Sequence, residues 1–576
     1  MHKIWKRRTK PNATNISILG DFGNNPIVAS LLSSRNIKTH EEAEHFFHPS
    51  TNNLHDPFLM KDMQKAITRI EEAMRQNQKI LLFGDYDVDG TTAVSMMWLF
   101  FQNQLKYKHV GYYIPDRYTE GYGVSEKSID WAHENQYQLI ISLDCGIKSS
   151  DKVSKATEKG IDFIICDHHL PDANIPKAIA ILNPKQSDCP YPFKELSGCG
   201  VAFKLIQAIC QKHNQPENAF TYLDLVAVST CCDIVPITHE NRILVYHGLK
   251  KLNQNPCPGI ASIINQAQSN HDFSVEDVVF FIGPRINAAG RIKHGNGAVD
   301  LLIASEQNQT TQDLTSQLNT HNTTRKGLDR QMTEHALQMI SDNASWFNNA
   351  SSTVLFCPEW HKGVVGIVAS RIIESHYKPT IILTESNGKA TGSARSVRDF
   401  DIHAAISRCA HLLDNFGGHM HAAGLTMPLE NVEEFRQTFD KIVNETWPPF
   451  LRKPIVYIDE EIELHQITST MFDAIQLFAP FGPGNMDPVF VTRNLNASKW
   501  TKIVGDNHLK LYVSPAGKSA PSFAGIAFKQ GHHIKSLLQG ASFHLAYNLR
   551  INEWNGKKNI ELDVKDIRFD DIGSIE

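Results

Sequence analysis

Three aspartates, Asp85, Asp87 and Asp89, stand at alternate positions directly after the apolar run Ile80–Phe83. Carboxylates this close repel one another, so they stay ionised together only if positive charge lies among them. The apolar run has the composition of a strand that is buried on both faces. The cluster therefore predicts a cation site at the end of a buried strand.

The spacing of these aspartates also matches the opening of a calcium-binding helix–loop–helix. That loop closes with a glutamate at its twelfth position, which is Met96 here, and it follows a helix. In this chain the aspartates follow a predicted strand. The calcium interpretation is therefore disfavoured.

Further ligand types follow other predicted elements. Asp144 comes after the apolar run Leu139–Leu143, and Asp233 comes after the helical run Leu223–Thr230. His168 and His169 follow the run Ile161–Cys166 with one residue, Asp167, between. Since ligands bind beyond the carboxyl ends of parallel strands, we expect these side chains to share one edge of a sheet.

Mixed carboxylate and imidazole ligands favour Mn²⁺ or Mg²⁺ over a thiolate-type zinc site, and imidazole favours Mn²⁺ without deciding the choice. The carboxylates exceed what one ion needs. Two ions roughly 3.5–4 Å apart, bridged by one carboxylate, would use them and would suit in-line attack of water on phosphorus. Asp144, on the central segment, is the expected bridge.

The elements that position these residues alternate between strands and helices. Helices are predicted over Met60–Gln76 and Gly90–Phe101, with a further strand at Val110–Ile114. This alternation predicts a doubly wound parallel sheet. A long connecting helix is expected from Ser305 to Ile340, then a second α/β domain, then short strands typical of a small β-barrel after Trp447.

Composition bounds the class of protein. The chain has 576 residues, a net charge of −5 and ten cysteines without a Cys-x-x-Cys pair. We see no apolar run that could span a bilayer and no export signal, so we expect a cytoplasmic protein with reduced thiols and no membrane partner. The basic N-terminal residues Lys3, Lys6, Arg7, Arg8 and Lys10 favour a solvated tail.

The motifs around these ligands resemble the signatures of the DHH phosphoesterases. Three further stretches, 114–123, 196–204 and 283–291, resemble the RecJ branch of single-strand-specific exonucleases, and Gly417–Gly424 is similar to the signature of the accompanying DHHA1 domain. The resemblance implies domains at 1–50 (an N-terminal segment), 51–300 (DHH catalytic domain), 301–350 (connecting helix and linker), 351–450 (DHHA1 domain) and 451–576 (an OB-fold-like nucleic-acid-binding domain).

The resemblance also implies an activity and roles for residues. It implies two-metal hydrolysis of single-stranded DNA from the 5′ end to 5′-mononucleotides, in DNA recombination and repair, with Mn²⁺ or Mg²⁺. The implied metal ligands are Asp85, Asp87, Asp89, Asp144, His168 and Asp233, of which Asp85 lies in the first or second shell, and His169 contacts the scissile phosphate. We nominate as DNA-contacting residues Arg285, Asn287, Arg291, Arg395 and His419. The implied partners are single-stranded DNA, a single-strand-binding protein and a DNA helicase.

Two rival functions remain at this point. One is a DHH phosphodiesterase or pyrophosphatase for small substrates, which the chain length and the stretch Gly283–Arg291 disfavour. The other is a non-catalytic scaffold that binds single-stranded DNA, which the intact acids disfavour.

Overall fold

A computed structural model describes residues 3–8, 25–267, 271–517, 522–554 and 557–570. The chain forms two units. The first, called here the DHH unit, comprises His48–Arg325 and Pro480–Met486; the second comprises Met1–Phe47, Lys326–Ala479 and Asp487–Glu576. Within the described ranges, no helix combines the length and apolar character needed to cross a membrane.

The DHH unit is built on a five-stranded parallel sheet. Its strand order is Val110–Tyr113, Ile80–Gly84, Leu139–Leu143, Asp162–Cys166 and Ala180–Leu182. The second and third of these strands are buried along their whole length, as the apolar run Ile80–Phe83 predicted for the second. Leu139–Leu143 is the central strand, so the residue that follows it, Asp144, lies at the middle of the carboxyl edge.

Helices cover the sheet and enclose two apolar cores. Three of them begin at residues whose side chains accept bonds from free backbone N–H groups, namely Asp87, Ser125 and Ser197. The α-helices of the unit are Met63–Arg75, Val88–Asn103, Glu126–Glu134, Ser150–Glu158, Gly198–Lys212, Leu223–Cys232, His239–Gln254, Pro258–Ile264, Val275–Asp277, Gly283–Ile292 and Asn296–Leu302. A π-helical turn, Val278–Ile282, precedes Gly283.

The long helix predicted from Ser305 to Ile340 is present as Gln309–Asp342. It leads in the chain to a second α/β arrangement, whose five strands run in the order Asn415–His419, Ala422–Pro428, Lys389–Arg395, Thr380–Ser386 and Thr353–Phe356. Its helices are Ala344–Phe347, Val365–Ser375, Ile402–Ser407 and Val432–Thr446. The helix Ile402–Ser407 is followed by a separate 3-10 turn, Ala410–Leu412.

The C-terminal strands form a β-barrel. Phe490–Ala497, Phe543–Trp554, Lys557–Arg568, Phe523–Ala527 and His508–Pro515 pair in that order, and the last pairs back with the first, which closes the ring. The short strands Glu460–Glu461 and Lys502–Val504 extend it, with helices Ser469–Gln476 and Ile534–Leu538. The predicted sheet classes and barrel are confirmed.

The prediction of a solvated N-terminal tail is wrong for its described part. Ile4–Arg7 is a strand that pairs in parallel with Ile455–Ile458, and Trp5 is buried against the barrel core. Arg7 bonds to Glu460 at 2.9 Å and Arg8 to Asp459 at 3.0 Å, so acids 453 and 451 residues away in sequence pair with these two arginines. The helices Pro26–Ser34 and His40–Phe47 follow, whereas Lys10 lies outside the described residues.

Candidate metal centre

The aspartate triplet lies where a strand gives way to a helix. Asp85 is buried just after Ile80–Gly84, and Asp87 caps the helix Val88–Asn103 by accepting a bond from the Gly90 N–H at 3.1 Å. A Cβ on Gly90 would lie 2.4 Å from the Asp85 carbonyl oxygen, so only glycine allows this tight turn. Asp89 lies in the first turn, where the helix dipole favours an acid.

The other predicted ligands come to the same edge. Asp144 follows the central strand with φ of 61°, a left-handed conformation that aspartate tolerates better than most residues. His168 is buried after the neighbouring strand, and Asp233 ends the helix Leu223–Cys232. Four separate segments of the chain therefore converge, as predicted from the ends of their elements.

His168 is the centre of this convergence. Its Nε2 lies 3.3 Å from Asp144 Oδ1, 3.6 Å from Asp233 Oδ2 and 3.8 Å from Asp89 Oδ2. Two groups of ligand atoms are close enough to hold a cation: Asp144, His168 and His169 form one, and Asp89, His168 and Asp233 form the other. The histidine belongs to both groups.

The residues fit a metal because their buried atoms lack other partners. Asp85 Oδ1, Asp144 Oδ1, Asp233 Oδ2 and both ring nitrogens of His168 are buried without a hydrogen bond from any described residue. Leaving one such group unpaired costs about 1–3 kcal/mol, more if it is charged. Carboxylate oxygens are ligands that both Mn²⁺ and Mg²⁺ take in proteins, and the added imidazole favours Mn²⁺.

Electrostatics support the same conclusion. The pKa of Asp85, Asp144 and Asp233 is raised well above the usual range. Burial is the largest cause, and repulsion from neighbouring acids is the second. Burial also lowers the pKa of His168 to about 4, so its ring is neutral near pH 7 and offers a lone pair. These acids therefore resist ionising together in the free protein, and a divalent cation beside the neutral imidazole would stabilise their ionised forms.

His169 is held differently from His168. Its Nδ1 lies 2.7 Å from Asp167 Oδ1, and Asp167 also accepts bonds from the backbone N–H groups of His168, His169 and Ile147. Burial alone would lower the pKa of His169, but the bond to Asp167 and its charge outweigh that effect and raise it. Asp167 therefore orients His169 and favours its protonated form.

Comparison with known proteins agrees with this architecture. Family models match the DHH family, N-terminal domain, at residues 79–230, the DHHA1 domain at 349–445 and the RecJ OB domain at 458–566. The chain is 32% identical over 579 residues to the single-stranded-DNA-specific exonuclease RecJ of Haemophilus influenzae, covering 98% of each chain. The chain belongs to the RecJ family.

Other RecJ proteins extend the comparison. The Bacillus subtilis exonuclease RecJ is 35% identical over 545 residues, which cover 94% of this chain and 68% of that protein. The crystal structure of RecJ in complex with Mn²⁺ from Thermus thermophilus superposes with a TM-score of 0.84 at 26% identity, covering 99% of this chain and 80% of that one. A second RecJ structure bound to manganese is 30% identical and covers 68% of this chain, with a TM-score of 0.58.

The nominated DNA-contacting residues lie in both units. In the DHH unit, Arg285, Asn287 and Arg291 lie on the helix Gly283–Ile292. The Arg285 guanidinium lies 3.6 Å from the centre of the Phe281 ring and bonds to Asn319 at 2.7 Å, so the protein itself fixes its direction. In the second unit, Arg395 bonds to the Ala394 carbonyl at 2.8 Å, and His419 is exposed at the end of an edge strand.

Two residues next to the cluster received no role from the sequence. Arg117 lies over the Tyr86 ring at 4.1 Å, and its charge lowers the pKa of both Asp85 and Asp87 against the larger effect of burial. The Tyr122 hydroxyl donates to the Asp144 carbonyl at 3.1 Å and lies 3.3 Å from His169 Nδ1. Both residues belong to the stretch 114–123, which the sequence marked only by its resemblance to RecJ.

Proposed function

We propose that the chain is a Mn²⁺- or Mg²⁺-dependent exonuclease specific for single-stranded DNA, which cleaves from the 5′ end and releases 5′-mononucleotides. The observation that carries the proposal is the set of unpartnered buried donors on Asp85, Asp144, His168 and Asp233. Membership of the RecJ family, whose relatives are named single-stranded-DNA-specific exonucleases, supplies the substrate class. The buried donors and the family membership both agree with a metal-dependent hydrolase that acts in DNA recombination and repair.

The residues proposed to hold two ions are Asp85, Asp87, Asp89, Asp144, His168 and Asp233. His168 lies within reach of both ligand groups, and Asp144 is the proposed bridging carboxylate. When bound, the ions supply Lewis-acid stabilisation of the charge that develops on the phosphate oxygens and lower the pKa of water. Asp85 and Asp144 directly follow buried strands, and Asp87, Asp89 and Asp233 lie at the ends of packed helices, so the fold fixes the geometry that such chemistry needs.

His169 is proposed to contact the scissile phosphate. Its Nδ1 is engaged by Asp167, and 38% of its side chain is exposed, so the ring can present Nε2–H to a phosphate oxygen. A raised pKa favours the cationic ring, which makes a stronger hydrogen bond with an anion than a neutral ring does. A second positive charge, that of Arg117, interacts with Asp85 and Asp87 of the acid cluster.

The remaining roles extend the proposal to the rest of the chain. Arg285, Asn287, Arg291, Arg395 and His419 contact DNA, and the C-terminal barrel binds single strands. The domains are those at 1–50, 51–300, 301–350, 351–450 and 451–576. A single-strand-binding protein and a helicase are the proposed protein partners, and the cytoplasmic location stays a prediction.

The test is digestion of single-stranded DNA blocked at its 5′ or 3′ end, with Mn²⁺, Mg²⁺ or chelator, beside duplex DNA, pyrophosphate and dinucleotides. We expect metal-dependent mononucleotide release that a 5′ block stops and a 3′ block does not. Asp224→Asn is the matched control for Asp144→Asn, because Asp224 is a buried acid on the same helix as Asp233 but outside the cluster. Hydrolysis of only the small substrates, or binding without hydrolysis, would reject the proposal.

A further inference from the structure

Asp89 is held more tightly than the other acids of the cluster. Its Oδ1 accepts bonds from the Cys199 N–H at 2.7 Å and from the Ser229 hydroxyl at 2.5 Å, and its Oδ2 accepts one from the Gly198 N–H at 2.7 Å. The two backbone donors open the helix Gly198–Lys212. Three donors leave one principal direction, on Oδ2, for a cation.

The Ser229 hydroxyl is part of a directed chain of hydrogen bonds. Because a carboxylate only accepts, Ser229 must donate its proton to Asp89. Ser197 Oγ lies 2.8 Å from Ser229 Oγ, so the Ser197 proton points to Ser229, while Ser197 accepts the Gly200 N–H at 3.1 Å. Both serines are fully buried, and this arrangement uses the only proton that each hydroxyl carries.

Ser229 also lies one helical turn before Asp233, whose N–H bonds to the Ser229 carbonyl at 2.9 Å. The same turn of helix therefore carries one proposed ligand and the side chain that holds another. Asp89 Oδ2 lies 3.8 Å from His168 Nε2, which lies 3.6 Å from Asp233 Oδ2. A rotation of the Asp89 carboxylate would separate Oδ2 from these two partners.

We propose that Ser229 is a positioning residue: it fixes the Asp89 carboxylate so that Oδ2 faces the cation position shared with His168 and Asp233. This inference rests on the proposed function, which makes Asp89 a metal ligand. Partners that orient a ligand matter for affinity, and their loss typically weakens metal binding about 10- to 100-fold. Among the described residues, the Ser229 hydroxyl bonds to Asp89 and to no other proposed ligand, so we expect its loss to affect one of two binding steps.

The test is a titration of the full, DNA-free chain with Mn²⁺ alone. Binding is measured by calorimetry and by the electron paramagnetic resonance signal of free Mn²⁺. In Ser229→Ala we expect one of two binding steps to weaken about tenfold while the other is unchanged. The matched control is Ser95→Ala, since Ser95 is equally buried, lies on the same helix as Asp89 and bonds only to the Thr91 carbonyl of that helix. We expect the control to bind Mn²⁺ as the wild type does.

A merely structural role predicts a different result, namely a lower melting temperature in chelator with both binding steps as in the wild type. That result overturns the inference. If Ser229→Ala does not fold, Ser229→Cys, which keeps the side-chain shape but donates only weakly, takes its place with the same two outcomes. Should the wild type bind two Mn²⁺ yet leave single strands intact, the proposed function fails while the inference stands; a wild type that binds no Mn²⁺ overturns both.

Discussion

Two buried carboxylates in the DHH unit, Glu240 and Asp144, differ in how the fold compensates for their burial. Glu240 is 1% exposed, and its oxygens accept bonds from Lys204 Nζ at 2.8 Å, the His55 N–H at 2.9 Å and the Tyr191 hydroxyl at 2.6 Å. Asp144 is 3% exposed, but its Oδ1 accepts no bond from a described donor and faces His168 and other acids. The protein itself supplies the hydrogen bonds and the counter-charge of Glu240. Asp144 Oδ1 has no such partner and is available to a metal ion.

The difference separates stability from function. A buried ion pair that has all its hydrogen bonds holds its surroundings in place, and breaking it leaves an uncompensated charge. Buried carboxylate oxygens without partners, such as those of Asp85, Asp144 and Asp233, work against folding, so their presence indicates selection for something other than stability. Substitutions at the acid cluster should therefore affect metal binding and spare stability, whereas substitutions at the Glu240 ion pair should lower stability and spare metal binding.

The largest effect is expected from Asp144→Asn. Loss of the proposed bridging carboxylate should lower the rate of single-strand hydrolysis by about 10³-fold or more, which corresponds to about 4 kcal/mol. Because the substitution also removes a buried acid whose ionised form is disfavoured by burial and by the neighbouring acids, the melting temperature in chelator should be equal to or higher than that of the wild type. Rates and melting curves on one preparation check both, and a lower melting temperature would contradict the comparison.

Glu240→Ala should show the reverse pattern. It leaves the Lys204 ammonium buried without its counter-charge, which should lower the free energy of unfolding by about 3–5 kcal/mol. Mn²⁺ affinity of the folded protein should stay unchanged, since this ion pair contributes no ligand. Urea unfolding and a Mn²⁺ titration at low temperature measure the two quantities. The double variant Lys204→Met with Glu240→Leu should recover most of the stability, and loss of Mn²⁺ binding in it would show that the two regions are coupled.

Gly198→Ala probes how closely the cluster is packed. A Cβ at this position would lie 2.5 Å from Asp144 Cβ and 2.7 Å from its Cα, so Asp144 or the start of the helix Gly198–Lys212 must move. A displacement of about 1 Å can cost about 100-fold in rate. Gly297→Ala is the control, because nothing lies within 4 Å of a Cβ there. Equal rates in the two variants would show that the position of Asp144 is not critical.

Metal addition should give the smallest effect. At Mn²⁺ ten times above its dissociation constant, the DHH unit should gain about 1.4 kcal/mol in free energy of unfolding. The gain should vanish in Asp144→Asn and persist in Glu240→Ala. Thermal unfolding with Mn²⁺ and with chelator tests this, and stabilisation that is equal in wild type and Asp144→Asn would place the metal elsewhere.

The sequence predicted the part of the site that follows from local rules. The strands Ile80–Gly84 and Leu139–Leu143 were visible as apolar runs, and parallel topology then required Asp144 and His168 to meet at one edge. The pairing of Lys204 with Glu240 could not be predicted in this way. It joins two different helices, and which of their faces meet is decided by packing across the whole core.

The same limit explains the residues without a predicted role and the wrong prediction for the N-terminus. Ser229 bonds to Asp89, 140 residues away, and its own helix is buried on every side, so no periodicity marks the hydroxyl. The local sequence of Arg7 is that of an exposed basic residue. Its contact with Glu460 arises only because the strand Ile4–Arg7 pairs with Ile455–Ile458. Long-range pairing leaves no local pattern.

The most direct test of the account is mononucleotide release from 5′-labelled single-stranded DNA by chelator-washed wild type and Asp144→Asn over a range of Mn²⁺ concentrations. We expect the wild type to be inactive until Mn²⁺ is added, and the variant to stay inactive at every concentration although it folds as well as the wild type. Hydrolysis by the wild type in chelator, or equal rates for the two proteins in Mn²⁺, would contradict it.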